Sequence, residues 1–285
     1  MIKISLKRKE QLIGLGFVSP WIIGFIVFMV YPLFNTIVYS FSQVRFLLNG
    51  IQTTYVKLVN YTDVLLKDPD FKLALPQYFI QIFLFVPMVV VFSILLSLLL
   101  NCKLRGRRFF RALFFLPVII MSGPVIDNLR LTNAITLQGL YNFPVYKFIA
   151  EYLPNVISSP ILYIFDNAVL ILWHTGVQTL IFLSALQKID RSIYEASMVD
   201  GASSWQQFWK LTLPVLRPFI LLNVIYTIMD VSMSSLNPII IQIKSAMFNI
   251  RKGFGFAAAA SWVYFIIILF AVLLSYLLFG REKNN

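Results

Sequence analysis

Carboxylates that interrupt long apolar runs are the residues of this chain best placed to do chemistry. Three of them, Asp127, Asp166 and Asp230, fall inside or at the edge of such runs. A carboxylate at the centre of a membrane costs roughly 3 kcal/mol on insertion scales, so it is by default a functional candidate. Asp230 is the strongest, because it lies near the middle of its run, residues 219–242. Asp166 fits a solvated helix start, and Asp127 either an outer helix end or a translocation path.

Asp230 has polar and aromatic neighbours at helical spacing. If its run is a helix, residues three, four and seven positions away share one strip. That strip contains Asn223, Tyr226, Met233, Ser234 and Asn237. An aromatic ring, a carboxylate and amides suit a sugar, whose hydroxyls hydrogen-bond and whose C–H faces pack on rings. Asp230 therefore predicts a sugar-binding cavity or, alternatively, a hydrogen bond to another helix of an assembly.

No residue set for catalysis, metal binding or nucleotide binding is present in the sequence. The only cysteine, Cys102, excludes an intrachain disulfide, and the only histidine, His174, excludes a multi-histidine site. No G-x-x-x-x-G-K-[ST] segment is found, so ATP would have to bind another polypeptide. No nucleophile and base share a face. We therefore predict a protein that is not an enzyme, without catalytic residues, metal ligands or a bound cofactor.

The composition is that of a membrane protein. The chain is 59% hydrophobic and only 13% charged, which is too apolar for a soluble globule. Its net charge of +12 does not indicate a nucleic-acid partner, because the basic residues flank apolar runs. Each of six runs is long enough to cross a bilayer as a helix of about 20 residues. The predicted spans are 15–41, 75–100, 112–131, 161–186, 219–242 and 254–279.

Six spans place both termini on the same side of the membrane. Lys and Arg are more frequent at the two termini, at residues 103–111 and at 188–218 than in the loops of the other side. This distribution predicts that both termini are cytoplasmic. We expect an all-α membrane protein with a cytoplasmic segment at 1–14 and one six-span transmembrane domain at 15–285. The sequence contains no internal repeat and no soluble domain.

The segment 188–218, called the elbow below, is the one long polar and amphipathic stretch between two spans. Ser192-x-x-Glu195 and Ser203-x-x-Gln206 are capping-box patterns and predict two short helices. Gly201 supplies the left-handed residue at which the first helix would stop. An apolar stripe in the second helix must lie against something, which predicts a docking surface. The alternative is an ordinary amphipathic loop on the membrane surface.

Two prolines, Pro214 and Pro218, follow the apolar stripe of the elbow. Because proline removes a helical hydrogen bond and clashes with the preceding turn, we expect them to end the amphipathic part. A structured elbow on the face of a membrane protein suggests a docking surface.

The elbow resembles the EAA loop of ABC-importer permeases, in the form found in the carbohydrate-uptake branch related to the maltose permeases. The resemblance rests on Glu195-Ala196-Ser197-x-x-Asp200-Gly201-Ala202 and on Leu211-x-Leu213-Pro214-x-Leu216-x-Pro218. Ser197 stands where the family more often has alanine. In that family the loop forms coupling helices that sit in a cleft of a separate cytosolic ATPase. The coupling residues implied here are Glu195, Ala196, Asp200, Gly201, Leu213 and Pro214.

The resemblance also implies a substrate path on the helices before and after the elbow. Alignment outward from the motif, together with the Asp230 strip, gives Trp173, His174, Val177, Gln178, Tyr226, Asp230, Met233 and Asn237. His174 could instead be a residue that only packs or hydrogen-bonds within the protein. The fold implied is that of a type I importer permease with six transmembrane helices.

The same resemblance implies the partners and the location. These are a second homologous permease subunit, two cytosolic ATPase subunits that carry ATP and Mg, and an extracellular solute-binding protein that delivers a sugar, here an oligosaccharide. The location is the bacterial inner membrane, in a lipid bilayer. The alternative is an ion-coupled secondary transporter with Asp230 as its coupling site. Such folds show paired broken helices in two internal repeats, which the sequence does not indicate.

Overall fold

The computed structural model describes residues 6–47, 50–102, 109, 141–249 and 251–280. Over these residues the chain is mainly helical, which confirms the predicted all-α class. Among them are five helices long and apolar enough to cross a membrane. These are Glu10–Ser40, Pro69–Asn101, Ala168–Leu186, Ser204–Met247 and Gly253–Phe279. The predicted third span at 112–131, with Asp127, lies outside the described residues.

The chain divides into two compact units, of which the first comprises Met1–Lys72 and Gln242–Phe265. It begins with one long helix, interrupted by a π-helical turn. Its two parts, α1 (Leu6–Phe25) and α2 (Tyr31–Ser40), are joined by the turn at Ile26–Val30. This long helix confirms the expectation of an apolar helix over 15–41.

A β-hairpin follows α2, in the segment between the first two predicted spans. Strands β1 (Ser42–Leu47) and β2 (Gly50–Tyr55) pair antiparallel, with Ser42 opposite Tyr55. The physical reason is local, because Val44, Ile51 and neighbouring Thr residues favour extended structure, and the side chains of residues 42–45 alternate between buried and exposed. The short helix α3 (Val59–Thr62) and a π-helical turn (Asp63–Lys67) come next.

Asn60 and Gly255 fix the base of the hairpin within this first unit. The Asn60 side-chain amide donates to the backbone carbonyls of Ser40 and Ser42, at 2.9 and 3.0 Å. Gly255 lies so close to Ser42 that a Cβ would stand 2.0 Å from its carbonyl oxygen. Only glycine permits that approach.

The second unit comprises Leu73–Ile241 and Ile266–Asn285. In chain order, the described helices that lie in this unit or extend into it are α4 (Pro69–Ile80), α5 (Val86–Asn101), α6 (Pro144–Tyr152), α7 (Asn155–Asp166), α8 (Ala168–Leu186), α9 (Arg191–Val199), α10 (Ser204–Gln207), α11 (Leu213–Met233), α12 (Pro238–Met247) and α13 (Gly253–Phe279). π-Helical turns at Gln81–Phe85 and Phe208–Thr212 lead into α5 and α11.

The core of the second unit lies where α5, α8 and α11 pack together. Val86, Phe182, Leu186, Leu216 and Ile228 belong to an apolar cluster in this core. Serine and threonine hydroxyls among them, such as those of Ser93 and Thr175, donate to carbonyls one helical turn back, at 2.6 Å in each case. Internal bonding of this kind lets polar side chains sit in an apolar interface.

Two predicted spans are broken where the sequence indicated a continuous helix. The fourth, predicted at 161–186, is interrupted at Asn167, whose side-chain amide donates to the Tyr163 carbonyl at 2.8 Å. The fifth, predicted at 219–242, is interrupted at 234–237. The break has a local cause, because the residue before Pro238 disfavours helix. Asp230 therefore lies in the last turn of α11 and not in the middle of an unbroken helix.

Candidate functional site

The N-cap of the first elbow helix, α9, is Asp190, two residues before the predicted cap Ser192. The Asp190 carboxylate accepts a hydrogen bond from the Ser192 backbone N–H at 3.0 Å, and this backbone bond lowers the pKa of Asp190. The predicted Ser192–Glu195 capping box is therefore wrong. Aspartate is a strong N-cap and competes successfully from two residues upstream. Glu195 instead pairs with Arg191, Nε to Oε1 at 3.0 Å.

The second predicted capping box, at the start of α10, is confirmed. The Ser203 backbone N–H donates to Gln206 Oε1 at 2.9 Å, and the Gln206 backbone N–H donates to Ser203 Oγ at 3.3 Å. Gly201 has a φ of +80°, so it is the left-handed residue that stops α9. The Ala202 N–H then returns to the Ser197 carbonyl at 2.9 Å.

Pro214 and Pro218 do not break the helix that leads out of the elbow. Pro214 lies in the first turn of α11 and Pro218 lies inside that helix. The π-helical turn Phe208–Thr212 ends two positions before Pro214, and the Leu213 backbone N–H bonds to the Phe208 carbonyl five residues back. The second half of the elbow is consequently continuous with the span that follows.

Hydrogen bonds from Gln207 lock the two halves of the elbow together. Its side-chain Nε2 donates to the Tyr194 carbonyl at 3.2 Å and to Ser197 Oγ at 2.8 Å. The Tyr194 hydroxyl lies 2.8 Å from Thr212 Oγ1. The sequence drew attention to Ser197 as a departure from alanine, but it did not predict hydrogen bonds between the two halves of the elbow. Ser197 is in fact a hydrogen-bonding partner of this lock.

The predicted coupling residues on α9 and at its end lie on the exposed side of the elbow. Glu195, Ala196, Asp200 and Gly201 are exposed, whereas Leu213 is half-buried at the start of α11 beside exposed Pro214. Asp200 and Gly201 also line a depression of about 360 Å³. Its other lining residues are Ser197, Ala202, Gln206, Gln207, Lys210 and Leu211.

Large apolar side chains of the elbow are exposed beside these residues. Val199 is 88% exposed, Trp205 70% and Met198 57%. Apolar patches rimmed by polar groups mark interaction sites. Since the Arg191–Glu195 pair is exposed at both ends and worth little on its own, Glu195 is available to a partner.

His174 and Asp230, two predicted substrate-path residues, are brought together from α8 and α11. His174 Nδ1 lies 2.7 Å from Asp230 Oδ2. The His174 ring is buried and meets the Phe85 ring edge-on, with centroids 5.4 Å apart. The Asp230 side chain is 38% exposed. His174 thus contacts one carboxylate oxygen of Asp230 from the buried side. The Asp230 carboxylate is also partly exposed on the opposite side, which is called the open face below.

The remaining predicted path residues divide between that open face and the helix interface. Tyr226 and Met233 lie on the exposed side with Asp230. Gln178 is buried and donates from Nε2 to Thr227 Oγ1 at 3.1 Å, one turn from the His174–Asp230 pair. Val177 is half-buried on the same helix.

The polar side-chain atoms of Trp173 and Asn237 are buried. Trp173 Nε1 is buried and has no hydrogen-bond partner among the described protein atoms. Asn237 is fully buried, and its Oδ1 accepts from the backbone N–H groups of Ile239 and Ile240 at 2.9 and 3.3 Å. Asn237 therefore caps α12 and does not share the open face with Asp230.

A third polar contact near the site joins α4 to α11. The Tyr78 hydroxyl on α4 lies 2.6 Å from Ser232 Oγ on α11, and both residues are buried. Tyr78 falls in an apolar run and Ser232 carries no motif, so nothing in the sequence indicated this contact. Together with His174–Asp230 and Gln178–Thr227, it forms a polar layer along α11.

The chain belongs to the family of binding-protein-dependent transport system inner membrane components, whose model matches residues 74–281. It is similar to the lactose transport system permease protein LacF of Rhizobium radiobacter, at 31% identity over 98% of each chain. It is also similar to the probable ABC transporter permease protein YesP of Bacillus subtilis (strain 168), at 28% identity over 92% of this chain and 88% of YesP.

A solved structure shares the fold. The chain matches a chain of the bacterial alginate ABC transporter in complex with an alginate pentasaccharide-bound periplasmic protein, with a TM-score of 0.63 and 16% sequence identity. The match covers 94% of this chain and 93% of that one. The predicted membership of the ABC-importer permeases is confirmed, and the chain is a membrane component of a transport system rather than an enzyme.

Proposed function

We propose that the chain is the pore-forming permease of an ATP-driven importer that takes up an oligosaccharide delivered by an extracellular binding protein. The observation that carries this proposal is the open face at Asp230, with His174 behind it, on a helix continuous with the elbow. Relatives named for lactose, arabinooligosaccharide and multiple-sugar transport support a sugar as cargo.

The Asp230 face has the chemistry to bind a sugar. His174 occupies Oδ2 in the tautomer that donates from Nδ1, so Oδ1 remains an acceptor for a hydroxyl group. The Tyr226 ring and the Met233 thioether on the same side offer apolar surface for C–H groups. A carboxylate fixed in this way favours hydroxyl donors that approach in one orientation.

The cargo proposed is uncharged. Lys and Arg are absent from Ala168–Leu186 and from residues 218–233. An acidic sugar would therefore meet Asp230 without a lysine or arginine from these two segments, and like charges in contact are unfavourable. We expect neutral sugars to be taken up and uronate-containing ones to be rejected at this face.

The partners follow from the proposed role. A second, homologous permease would complete the pore, and two cytosolic ATPase subunits, which bind ATP and Mg, would dock on the elbows. Both termini and the elbow would face the cytoplasm. Glu195, Ala196, Asp200 and Gly201 would make the docking contacts, and Leu213 and Pro214 would begin the helix that carries the movement inward.

The continuity of the elbow with α11 suggests how coupling works. When the ATPases close on ATP, they would draw the two elbows together. The Gln207 contacts would move α9 and α10 as one body, and the π-helical turn passes directly into α11. Asp230 lies roughly 26 Å along that helix from Leu213 at 1.5 Å per residue. An elbow movement would therefore reorient the sugar face without an intervening loop.

Charge reversal in the elbow tests the proposal. We expect Glu195→Lys and Gly201→Asp to leave the subunit in the membrane but to uncouple sugar uptake from ATP hydrolysis. The first reverses a charge at the docking surface, and the second adds a negative charge at an exposed position of the same surface.

Glu10→Lys is the matched control, because it reverses an exposed charge far along the chain from the elbow. It should transport normally. Normal uptake and normal sugar-stimulated hydrolysis by both elbow variants would exclude the elbow as a coupling surface.

A further inference from the structure

Helix α6 (Pro144–Tyr152) carries three distinct stripes along its length. At 100° per residue, Val145, Phe148 and Tyr152 form an apolar stripe, and these side chains are 57–69% exposed. Lys147 and Glu151 form an exposed polar stripe beside it. The third stripe packs on the protein. Because one face of α6 already packs on the protein, the exposed apolar stripe is free to contact something else.

The packed stripe ties α6 to the end of a membrane span. Ile149 is buried, and the Tyr146 hydroxyl donates to Asp166 Oδ1 at 3.2 Å. The Tyr146 ring also meets the Phe165 ring edge-on, with centroids 6.4 Å apart. Phe165 and Asp166 end α7, and α8 begins at Ala168. Helix α6 is thus anchored at the end of α8 that is opposite the elbow, where a membrane boundary must lie.

The exposed apolar stripe extends into the segments on either side. Phe148 and Tyr152 stack with ring centroids 5.2 Å apart and an interplanar angle of 24°. Tyr141, Phe143, Val156 and Ile157 are each more than half exposed. Aromatic residues with an apolar body and a polar tip are enriched where a membrane meets water.

We propose that α6 lies in the plane of the bilayer interface, with Phe148 and Tyr152 directed into the lipid and Lys147 and Glu151 directed into water. The bilayer is the occupant that fits, because the stripe begins at a span end and is bordered by charges on one side only. Interfacial helices have this arrangement and sit with their apolar face about 5–10 Å deep. The proposal needs only that the chain is embedded in a membrane and does not depend on its cargo.

The consequence concerns the broken fourth span. Because Tyr146 holds Asp166, an α6 fixed at the lipid surface would set the depth of the α7 end and of the break at Asn167. When α11 moves against α8, α6 would then keep the end of α7 at a constant depth in the bilayer.

Site-directed spin labelling tests the orientation directly. The only cysteine, Cys102, is free and exposed, so Cys102→Ser provides the background. Lys147→Cys, Phe148→Cys, Glu151→Cys and Tyr152→Cys each replace an exposed side chain, and none removes a packing contact of the core. The protein, with the subunits that purify with it, is placed in vesicles of phosphatidylethanolamine and phosphatidylglycerol. Label collisions with oxygen and with a water-soluble nickel chelate are then measured.

We expect labels at 148 and 152 to collide with oxygen several-fold more than with the nickel chelate, and labels at 147 and 151 to show the opposite preference. Four labels with equal access to the nickel chelate would overturn the proposal, since the stripe would then face water. Labels at 148 and 152 that neither reagent reaches would also overturn it, because the stripe would be covered by protein.

Discussion

Replacement of Gly201 by alanine isolates the contribution of one backbone angle to the elbow. Gly201 stops α9 with φ at +80°, and a Cβ built on it meets no atom within 4 Å. Gly201→Ala therefore introduces no clash with the rest of the chain. Any effect must come from the cost of holding an L-residue in the left-handed region.

That cost can be estimated. A left-handed conformation costs an ordinary L-residue about 1–2 kcal/mol, whereas asparagine is tolerated there. Alanine would relax the turn in the free subunit, so the docked geometry would be populated about 5–30-fold less often, at 1.4 kcal/mol per factor of ten. The apparent affinity for the ATPase should fall by the same factor. Gly201→Asn should reduce the apparent affinity for the ATPase much less than Gly201→Ala does.

The assay is titration of the purified ATPase onto membranes that contain the permease, with sugar-stimulated hydrolysis as the second readout. Gly201→Ala should shift the midpoint by about 5–30-fold, with full activity restored at a high ATPase concentration. An alanine variant that binds like the unmodified protein would refute the reasoning. So would an asparagine variant as impaired as alanine, since the defect would then not be conformational.

Three further predictions concern hydrogen bonds and charge. Ser197→Ala removes one acceptor of the elbow lock and should lower stability by about 1 kcal/mol, measured by thermal unfolding in detergent. Asp230→Ala leaves buried His174 without its partner and should reduce sugar uptake more than Asp230→Asn, which keeps an acceptor; equal losses would contradict the role of the hydrogen bond. Burial disfavours charged Lys252, but hydrogen bonds to two aspartates outweigh it and raise its pKa above 10.5. Its stabilisation should persist below pH 10.5 and be lost only as the pH rises past the raised value, so Lys252→Met should lower the melting temperature equally at pH 7 and pH 9.

The sequence predicted the features that depend on composition and local pattern. Long apolar runs identify spans because the bilayer demands about 20 residues of helix, and α13 (Gly253–Phe279) agrees closely with the predicted 254–279. Gly201 was predicted because the end of a helix needs a left-handed residue. The Ser203–Gln206 box was predicted because both partners lie within one turn.

The errors arose where neighbouring signals compete or tertiary contacts decide. Asp190 displaced Ser192 as the cap because it offers a carboxylate two residues earlier. Pro238 favours a break in the helix before it, but the continuous apolar run led to the prediction of one unbroken span at 219–242. The hairpin at Ser42–Tyr55 was missed because six-residue strands give a weak pattern between helices.

The pairing of His174 with Asp230 required the structure. Each was identified separately as a substrate-path candidate, but 56 positions separate them in the chain. Their contact depends on the rotation of α8 against α11, which a helical pattern in one segment does not determine. The same holds for the contacts of Gln178 with Thr227 and of Tyr78 with Ser232.

Affinity purification of the chain from its native membrane, followed by ATP hydrolysis in vesicles, tests the central proposal most directly. We predict recovery of a second permease and an ATPase, with hydrolysis that rises when a sugar-loaded binding protein is added. Recovery of the chain alone, active in vesicles with an ion gradient and without ATP, would contradict the proposal and would make Asp230 an ion-coupling site.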